Sequence, residues 1–291
     1  AIILVKDKDK AKSIYSESMM DKFGFNERLI AYTKEEIATD VKSFTEVKYI
    51  FSTWYMPTFN EKEIRDYFPA LEAVFYAAGT VKYFAEPFMK SGVKIFSAAK
   101  ANGVPVAEFT ASQIILANKG YFQAQKECKR PFFKFSFNKA RQIVYSKTGN
   151  YQARVGLIGA GAVGSKVVEL LKPYNLDIYV YDPYISDERA KELNVLKLGL
   201  EELFDNCDVI SNHLPDVENT RGILNYSLFS RMKSSATFIN TGRGAQVVER
   251  DLTKALREKP QRCALLDVTS HEPLWPWSPL NWQRNVFITP H

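Results

Sequence analysis

Three histidines stand where short apolar runs of the sequence end, and such positions suit a residue that transfers protons. His213 follows DVISN, His271 follows CALLDVTS, and His291 follows NVFITP. An unperturbed imidazole titrates close to neutral pH, so each of the three could act as a general acid or base. In an open α/β sheet, ligands bind at the edge where the strands finish. Position alone does not choose among the three histidines.

An arginine and two acidic residues lie in loops of the same kind. Arg243 stands between glycines in NTGRG, after the apolar run ATFIN. The flanking glycines free its guanidinium to reach into a cleft, where its planar fork of donors suits a carboxylate. Asp267 ends an apolar run, and Glu272 precedes Pro273. A carboxylate next to a histidine raises the pKa of that histidine and fixes its tautomer, so these loops could hold an acid–base pair.

A glycine-rich turn indicates a second kind of chemistry. In RVGLIGAGAVGSKVVELLKP, the spacing G-x-G-x-x-G falls on Gly159, Gly161 and Gly164, between a predicted strand and a predicted amphipathic helix. Such a turn admits a pyrophosphate to the helix N-terminus. The next apolar run ends in Asp182, 18 residues after Gly164. An acid there accepts hydrogen bonds from a ribose and repels a 2′-phosphate, which favours NAD over NADP.

The elements around these residues alternate between strand and helix, which is typical of a parallel sheet. A long helix from Val106 to Phe122 separates the two halves, and the stretch at 130–152 then interrupts the alternation. Six strands are predicted in the second half: RVGLIG, DIYVYD, DVISN, ATFIN, CALLDV and NVFIT. In the first half, the predicted strands are Ile2–Val5, Leu29–Tyr32, Val47–Phe51, Ala73–Tyr76 and Val93–Phe96.

Composition narrows the classes of protein. The chain has 291 residues, enough for two domains, and its 46% hydrophobic and 25% charged residues are ordinary for a globular protein. The net charge is +6, but basic and acidic residues are interleaved, so we expect no nucleic-acid partner. The opening AIILV is too short for a signal peptide or membrane span. Three isolated cysteines indicate neither a metal site nor disulfides, and they suit the cytoplasm: Cys128, Cys207 and Cys263.

The motifs together resemble the D-isomer-specific 2-hydroxyacid dehydrogenase family. GAGAVG with Asp182, NTGRG, LDVTSHEP and ITPH occur in the family's order, and FYAAGTV and VPVAEFT match more loosely. The resemblance implies an α/β fold: a flavodoxin-like parallel substrate-binding domain at residues 1–104, and a Rossmann doubly wound NAD-binding domain at residues 105–291 that begins with the long linking helix. It also implies a further C-terminal segment, beyond ITPH, that completes the substrate domain.

The resemblance assigns roles residue by residue. Arg243 would orient the carboxylate and keto oxygen of the substrate, His291 would be the proton donor or acceptor, and Glu272 its acidic partner. Backbone N–H groups of the loop Ala78, Gly79 and Thr80 would hold the substrate carboxylate. The residues implied at the NAD site are Gly159, Gly161, Ala162, Val163, Gly164, Asp182, Leu214, Pro215, Thr241, Gly242 and Asp267.

The expected activity is the NAD-dependent interconversion of a D-2-hydroxy acid and its 2-keto acid by a cytoplasmic homodimer that needs no metal. Two alternatives remain: a corepressor-like NAD-binding module without significant turnover, and another two-domain NAD enzyme such as a formate dehydrogenase or adenosylhomocysteine hydrolase. Trp54 follows a predicted strand and either faces the substrate or packs in the core. For the tryptophan-rich LWPWSPLNW we favour packing or an interface over a cap on the cleft.

Overall fold

The computed structural model describes residues 1–22, 29–129, 133–147 and 149–291. Its Cα positions divide the chain into two compact units, Ala1–Gly103 and Val104–His291. Each unit has its own parallel sheet with helices between successive strands. The predicted fold class, two parallel α/β domains, is confirmed, whereas the assignment of substrate and cofactor to the two units stays a prediction.

The first unit is a parallel sheet in the order β2-β1-β3-β4-β5, the flavodoxin-like order. Its strands are β1 (Ile2–Leu4), β2 (Ala31–Tyr32), β3 (Tyr49–Ser52), β4 (Ala73–Tyr76) and β5 (Lys94–Ser97). Its helices are α1 (Lys8–Ile14), α2 (Glu17–Lys22), α3 (Lys34–Thr39), α4 (Glu61–Tyr67) and α5 (Ala85–Lys90), with a 3₁₀ turn at Val41–Phe44.

Local sequence signals explain where two helices of this unit begin. Thr33 and Glu36 form a capping box at α3, and Asn60 and Glu63 form another at α4. Each box satisfies two backbone donors that a helix start leaves unpaired. The larger apolar cluster of the unit lies on one face of its sheet and is rich in edge-on aromatic pairs, such as those that Phe59 makes with Phe68 and Phe88. These contacts pack Phe59, which precedes α4, against the residue that follows α4 and against α5. A smaller cluster around Ile3 and Val5 lies on the other face.

The second unit holds a seven-stranded parallel sheet in the order β12-β11-β10-β9-β6-β7-β8 among the described residues. Counted from β6, its first six strands follow the doubly wound order 3-2-1-4-5-6. The strands are β6 (Ala153–Ile158), β7 (Leu176–Tyr181), β8 (Leu196–Lys197), β9 (Val209–Asn212), β10 (Thr237–Asn240), β11 (Cys263–Leu266) and β12 (Val286–Ile288).

Helices cover both faces of this sheet, as a buried parallel sheet requires. They are α6 (Ala99–Asn118), α7 (Tyr121–Cys128), α8 (Phe133–Tyr145), α9 (Ala162–Leu171), α10 (Asp187–Leu193), α11 (Leu200–Asn206), α12 (Tyr226–Phe229) and α13 (Glu249–Glu258), with 3₁₀ turns at Glu218–Thr220, Gly244–Gln246 and Pro279–Trp282. Two separate apolar clusters, one on each face, form the core. None of the described helices combines the length and apolarity needed to cross a bilayer.

Three elements differ from the sequence prediction. The long helix begins at Ala99 and runs through Pro105, and Gly120, with φ +74°, then separates it from α7, so the predicted range Val106–Phe122 was wrong at both ends. The interrupted stretch contains helix α8. The predicted six strands gain a seventh, the two-residue edge strand β8, which is too short to show an alternating pattern.

Candidate active site

The turn between β6 and α9 has the geometry that its glycines predict. Gly159 has φ +96°, in the region that favours glycine, and an added methyl group at Gly164 would lie 2.1 Å from the carbonyl oxygen of Gly159. A methyl group on Gly161 would meet no described atom within 4 Å. Gly161 is the N-cap of α9, and no side chain of the described residues caps this helix start. Open space beside uncapped backbone donors fits a dinucleotide pyrophosphate.

Asp182 lies beside this turn, just after β7. Its Oδ2 accepts a hydrogen bond from the backbone N–H of Ala160 at 2.8 Å, and its Oδ1 accepts one from Tyr184 at 2.9 Å. A carboxylate oxygen has a second lone pair, so both oxygens keep an acceptor site. The nearby Arg189 is paired with Glu192 at 2.8 Å. These residues fit an adenosine ribose with free hydroxyls better than one with a 2′-phosphate.

Arg243 stands in the loop that follows β10. Its side chain is half-buried, and its Nη1 donates to the carbonyl oxygen of Gly242 at 2.7 Å. The preceding Thr241 is buried, with its hydroxyl 3.0 Å from that of Thr110 on α6. The loop is therefore tied to a helix as well as to its strand, which limits the positions that the guanidinium can take.

Glu272 and His291 form a close pair. The Oε2 of Glu272 lies 2.6 Å from the Nδ1 of His291, and its Oε1 accepts the backbone N–H of Thr269 at 3.2 Å. The two side chains are 40% and 50% exposed, so solutes can reach the imidazole. They line a cavity of about 430 Å³, whose other lining residues are Asp267, Thr269, Pro273, Leu274, Ile288, Thr289 and Pro290. Asp267 accepts the hydroxyl of Thr289 at 2.6 Å.

The other two histidines have different surroundings. His213 lies against the glycine turn, with its Nε2 3.0 Å from the hydroxyl of Ser211 and its Nδ1 without a hydrogen-bond partner among the described residues. Burial lowers the pKa of His213 to about 4, so its ring is neutral at physiological pH. The ring of His271 stacks on Trp275 with centroids 3.9 Å apart. Of the three imidazoles, the one on His291 combines exposure with an acidic partner.

The predicted substrate residues other than Arg243 lie in the first unit. The loop Ala78–Thr80 follows β4, and the hydroxyl of Ser97 lies within hydrogen-bond distance of the carbonyl oxygens of Ala78 and Gly79, at 3.0 and 2.6 Å. Trp54 is 48% exposed and thus does not pack in the core, whereas Met56, two residues on, does. In the second unit Trp275, Trp277 and Trp282 are exposed as well.

Sequence reasoning missed a set of buried amides beneath the Arg243 loop. Asn212 ends β9, Asn240 ends β10, and Gln246 lies in the 3₁₀ turn after Arg243; all three are fully buried. The two strands pair Asn212 directly opposite Asn240. The available signal was an asparagine ending each of two neighbouring apolar runs, since a buried polar side chain at a strand end needs a partner.

Comparison with known proteins decides the family. Residues 112–291 match the model of the D-isomer specific 2-hydroxyacid dehydrogenase, NAD binding domain, and this is more than half of the 291-residue chain. The chain belongs to this family. The predicted family is confirmed, and so is NAD as the predicted cofactor. The described residues contain no cluster of potential metal ligands.

Several curated proteins are similar in sequence. D-3-phosphoglycerate dehydrogenase from Methanocaldococcus jannaschii is 33% identical over 207 residues, which cover 71% of this chain and 38% of that protein. Glyoxylate reductase from Aeropyrum pernix is 39% identical over 137 residues, which cover 47% of this chain and 41% of that protein. The matches thus span well under two thirds of the relatives' length.

Solved structures share the fold. The NAD-complexed D-isomer specific 2-hydroxyacid dehydrogenase from Lactobacillus delbrueckii ssp. bulgaricus has a TM-score of 0.79 at 20% identity, covering 100% of this chain and 89% of that one. Apo D-mandelate dehydrogenase from Rhodotorula graminis has a TM-score of 0.80 at 18% identity, covering 99% and 86%. At such identities these matches support the architecture alone.

Proposed function

We propose that the chain is an NAD-dependent oxidoreductase that interconverts a D-2-hydroxy acid and its 2-keto acid. The observation that carries the proposal is the Glu272–His291 pair, 2.6 Å apart at an accessible cavity in a chain of this family. Hydride transfer at an alcohol carbon requires a group that takes up the hydroxyl proton, and a carboxylate-paired imidazole is suited to that task.

His291 transfers the proton in this proposal. Because its Nδ1 faces Glu272, its Nε2 is left for the substrate oxygen. During oxidation of the hydroxy acid, Nε2 accepts the hydroxyl proton and the imidazole becomes positively charged. The carboxylate of Glu272 stabilises that charge and orients the ring. During reduction of the keto acid, the same nitrogen returns the proton to the oxygen.

Arg243 and the first-unit loop bind the substrate. The guanidinium of Arg243 orients the carboxylate and keto oxygen, and the backbone N–H groups of Ala78, Gly79 and Thr80 are proposed as further carboxylate donors. We propose that Trp54 contacts the side chain of the substrate. In support of this, Trp54 is 48% exposed. A 2-keto acid has the paired oxygens that a planar guanidinium binds well.

When bound, NAD would accept a hydride from the substrate carbon or return one to it, which no side chain can do. The glycine turn would hold its pyrophosphate, and Asp182 its adenosine ribose. We propose that the nicotinamide half meets the residues that follow β9, β10 and β11, with Asp267 placed for the carboxamide. In full, the proposed NAD contacts are Gly159, Gly161, Ala162, Val163, Gly164, Asp182, Leu214, Pro215, Thr241, Gly242 and Asp267.

A panel of 2-keto acids with NADH tests the proposal. Glyoxylate, pyruvate, hydroxypyruvate and larger keto acids are supplied in turn, and consumption of NADH is followed by absorbance. We expect turnover with at least one of them. Replacing His291 with Ala should abolish turnover while NADH still binds, and replacing Arg243 with Ala should lose most of kcat/KM. Wild-type activity in either variant would contradict the residue assignments.

The same panel separates the alternatives. An NAD-binding module without catalysis would bind NADH and reduce no keto acid. A formate dehydrogenase would instead reduce NAD⁺ with formate. Formate dehydrogenases are among the structural neighbours, with one from Staphylococcus aureus at a TM-score of 0.67 and 20% identity. The fold therefore leaves that alternative open, whereas the family match and the curated glyoxylate reductases favour hydroxy acids.

We further propose a homodimer that acts in the cytoplasm without nucleic-acid partners. Large aromatic side chains on the second unit, such as Trp277 at 71% exposure and Phe135 at 80%, support an interface. The free thiols of Cys128, Cys207 and Cys263 support a reducing compartment. Light scattering of the purified chain tests the dimer.

A further inference from the structure

The backbone of Arg243 is held by two side-chain amides. Its N–H donates to the Oε1 of Gln246 at 3.2 Å, and its carbonyl oxygen accepts from the Nδ2 of Asn240 at 3.2 Å. The Oδ1 of Asn240 also accepts the N–H of Gly242 at 3.1 Å. The loop segment that carries the guanidinium is therefore fixed by buried side chains as well as by its own turn.

The amide of Gln246 also reaches a second loop. Its Nε2 donates to the carbonyl oxygens of Leu214 and Pro215 at 2.8 and 3.0 Å. These two residues follow β9 and bond to the amide nitrogen, whereas Arg243 bonds to the amide oxygen. A single side chain thus joins the loop that carries Arg243 to the loop proposed for the nicotinamide half of the cofactor.

Asn212 completes the arrangement. Its Nδ2 donates to Asn240 at 2.9 Å and to Gln246 at 2.5 Å, and its Oδ1 accepts the N–H of Leu214 at 3.3 Å. Gln246 then has two donors to its oxygen and two acceptors for its N–H₂ group, which is the full hydrogen-bonding capacity of an amide. A buried network with every member satisfied is rigid, because any movement leaves a buried polar group unpaired.

We infer that Gln246 is a positioning residue which, with Asn212, sets the place of Arg243 relative to the Leu214–Pro215 loop. The inference rests on the proposed function and deepens it. Gln246 touches neither substrate nor cofactor in this proposal and acts through the backbone of both loops. A cofactor that contacts one loop would therefore affect how well the other binds the carboxylate.

The test replaces Gln246 with Leu, which keeps the volume and removes the hydrogen bonds. NADH affinity is measured by fluorescence titration, and kcat and KM are measured with the 2-keto acid that the wild-type chain reduces best. We expect NADH to bind about tenfold more weakly and kcat/KM to fall about a hundredfold, with KM raised and kcat lowered together, since both loops lose their common anchor.

Gln123 provides a matched control. It too is a fully buried glutamine, and its Nε2 donates to Ser235 and Thr237 at 3.2 Å each, at the opposite end of β10. The Gln123→Leu variant should lower the thermal midpoint of the chain by a similar amount while leaving NADH affinity and both kinetic constants within about twofold of wild type. If both variants lost NADH affinity and kcat/KM to the same extent, the loss would come from lower stability and not from positioning.

The outcomes are distinct. If Gln246→Leu keeps NADH affinity and kcat/KM within twofold of wild type and only loses stability like Gln123→Leu, the positioning role is overturned and the proposed function stands. If the wild-type chain binds no NADH and reduces no keto acid, both are overturned. Should Gln246→Leu fail to fold, the Asn212→Ser variant decides. A loss of both NADH affinity and kcat/KM, smaller than the loss expected for Gln246→Leu, supports the positioning role, and wild-type values of both refute it.

Discussion

Glu272 divides its two carboxylate oxygens between the backbone and the imidazole of His291. One oxygen accepts the N–H of Thr269, and the other faces Nδ1 at 2.6 Å. Replacing Glu272 with Gln keeps an oxygen for Thr269 but removes the negative charge that stabilises the imidazolium. We expect kcat to fall by about a hundredfold or more, with NADH affinity unchanged. Steady-state kinetics and NADH titration measure the two quantities.

The neighbouring histidine supplies the control for Glu272. His271 stacks on Trp275, and its ring is not part of the proton-transfer pair. The variant with Gln at 271 should keep kcat within about twofold of wild type. If removing the charge at 272 left kcat intact, or if both variants lost it equally, the proposed partnership between Glu272 and His291 would be wrong.

His213 gives a pH dependence of stability whose sign follows from its burial. Burial lowers its pKa in the folded chain from 6.5 to about 4. Between those values the unfolded chain binds a proton that the folded chain does not, so stability falls as the pH drops. At about 1.4 kcal/mol for each pH unit between 6.5 and 4, the loss approaches roughly 3 kcal/mol, and above pH 6.5 it vanishes.

Urea unfolding of the wild-type chain and of a variant with Gln at 213 tests this linkage. The difference in the free energy of unfolding between the two proteins should be constant above about pH 6.5 and should shift in favour of the variant as the pH falls toward 4. Because the carboxylates titrate in both proteins alike, their effect cancels in the difference, which isolates the effect of His213. Parallel curves throughout the range would show that the imidazole is not kept neutral by burial.

At the scale of elements, two glycines of the turn between β6 and α9 have different expected roles, one in folding and the other in binding NADH. A methyl group at 164 would lie 2.1 Å from the carbonyl oxygen of Gly159, whereas one at 161 would meet no described atom within 4 Å. The Gly164→Ala variant should lose about 3 kcal/mol of stability together with NADH binding. The Gly161→Ala variant should keep its thermal midpoint yet bind NADH about tenfold or more weakly, because the methyl group takes space that the pyrophosphate needs.

Thermal unfolding and NADH titration of both glycine variants measure these effects. Equal loss of stability at the two positions would mean that the turn is strained for structural reasons alone. NADH affinity unchanged in Gly161→Ala, with stability also unchanged, would place the pyrophosphate elsewhere. The two glycines therefore serve as controls for each other.

Elements with a strong local pattern were predictable from the sequence, and the others were not. The glycine motif predicted strand, turn and helix in order, and α9 begins at Ala162, directly after Gly161. Helix α6 was misjudged because proline lacks an N–H and usually marks a helix boundary, whereas Pro105 lies inside the helix. Buried side chains of α6, among them Ala107, Ala111 and Ile114, pack in the core of the second unit, and tertiary packing outweighs local propensity there.

The candidate site was predictable in its residue types but not in its support. Motifs pointed to Arg243, Glu272 and His291, and the structure places the last two in contact. Nothing in the sequence relates Gln246 to Asn212, because they are 34 residues apart and belong to different loops. Such a pairing depends on the order of β9 and β10 in the sheet, which local patterns do not specify.

For the molecule as a whole, the two cores of the second unit imply that it can fold alone. Because α6 begins at Ala99, before the unit boundary, and packs its buried residues with β6, an autonomous fragment must run from Ala99 to His291.

This fragment should unfold cooperatively and gain about 2.7 kcal/mol of stability at NADH concentrations a hundredfold above Kd. If the proposed function is right, the fragment should reduce no keto acid, since it lacks Ala78–Thr80, the loop proposed to bind the substrate carboxylate. Thermal unfolding with and without NADH measures the gain, which the fragment carrying Gly164→Ala should lack. Gradual unfolding, or a gain retained in that variant, would show that the second unit does not fold and bind NADH by itself.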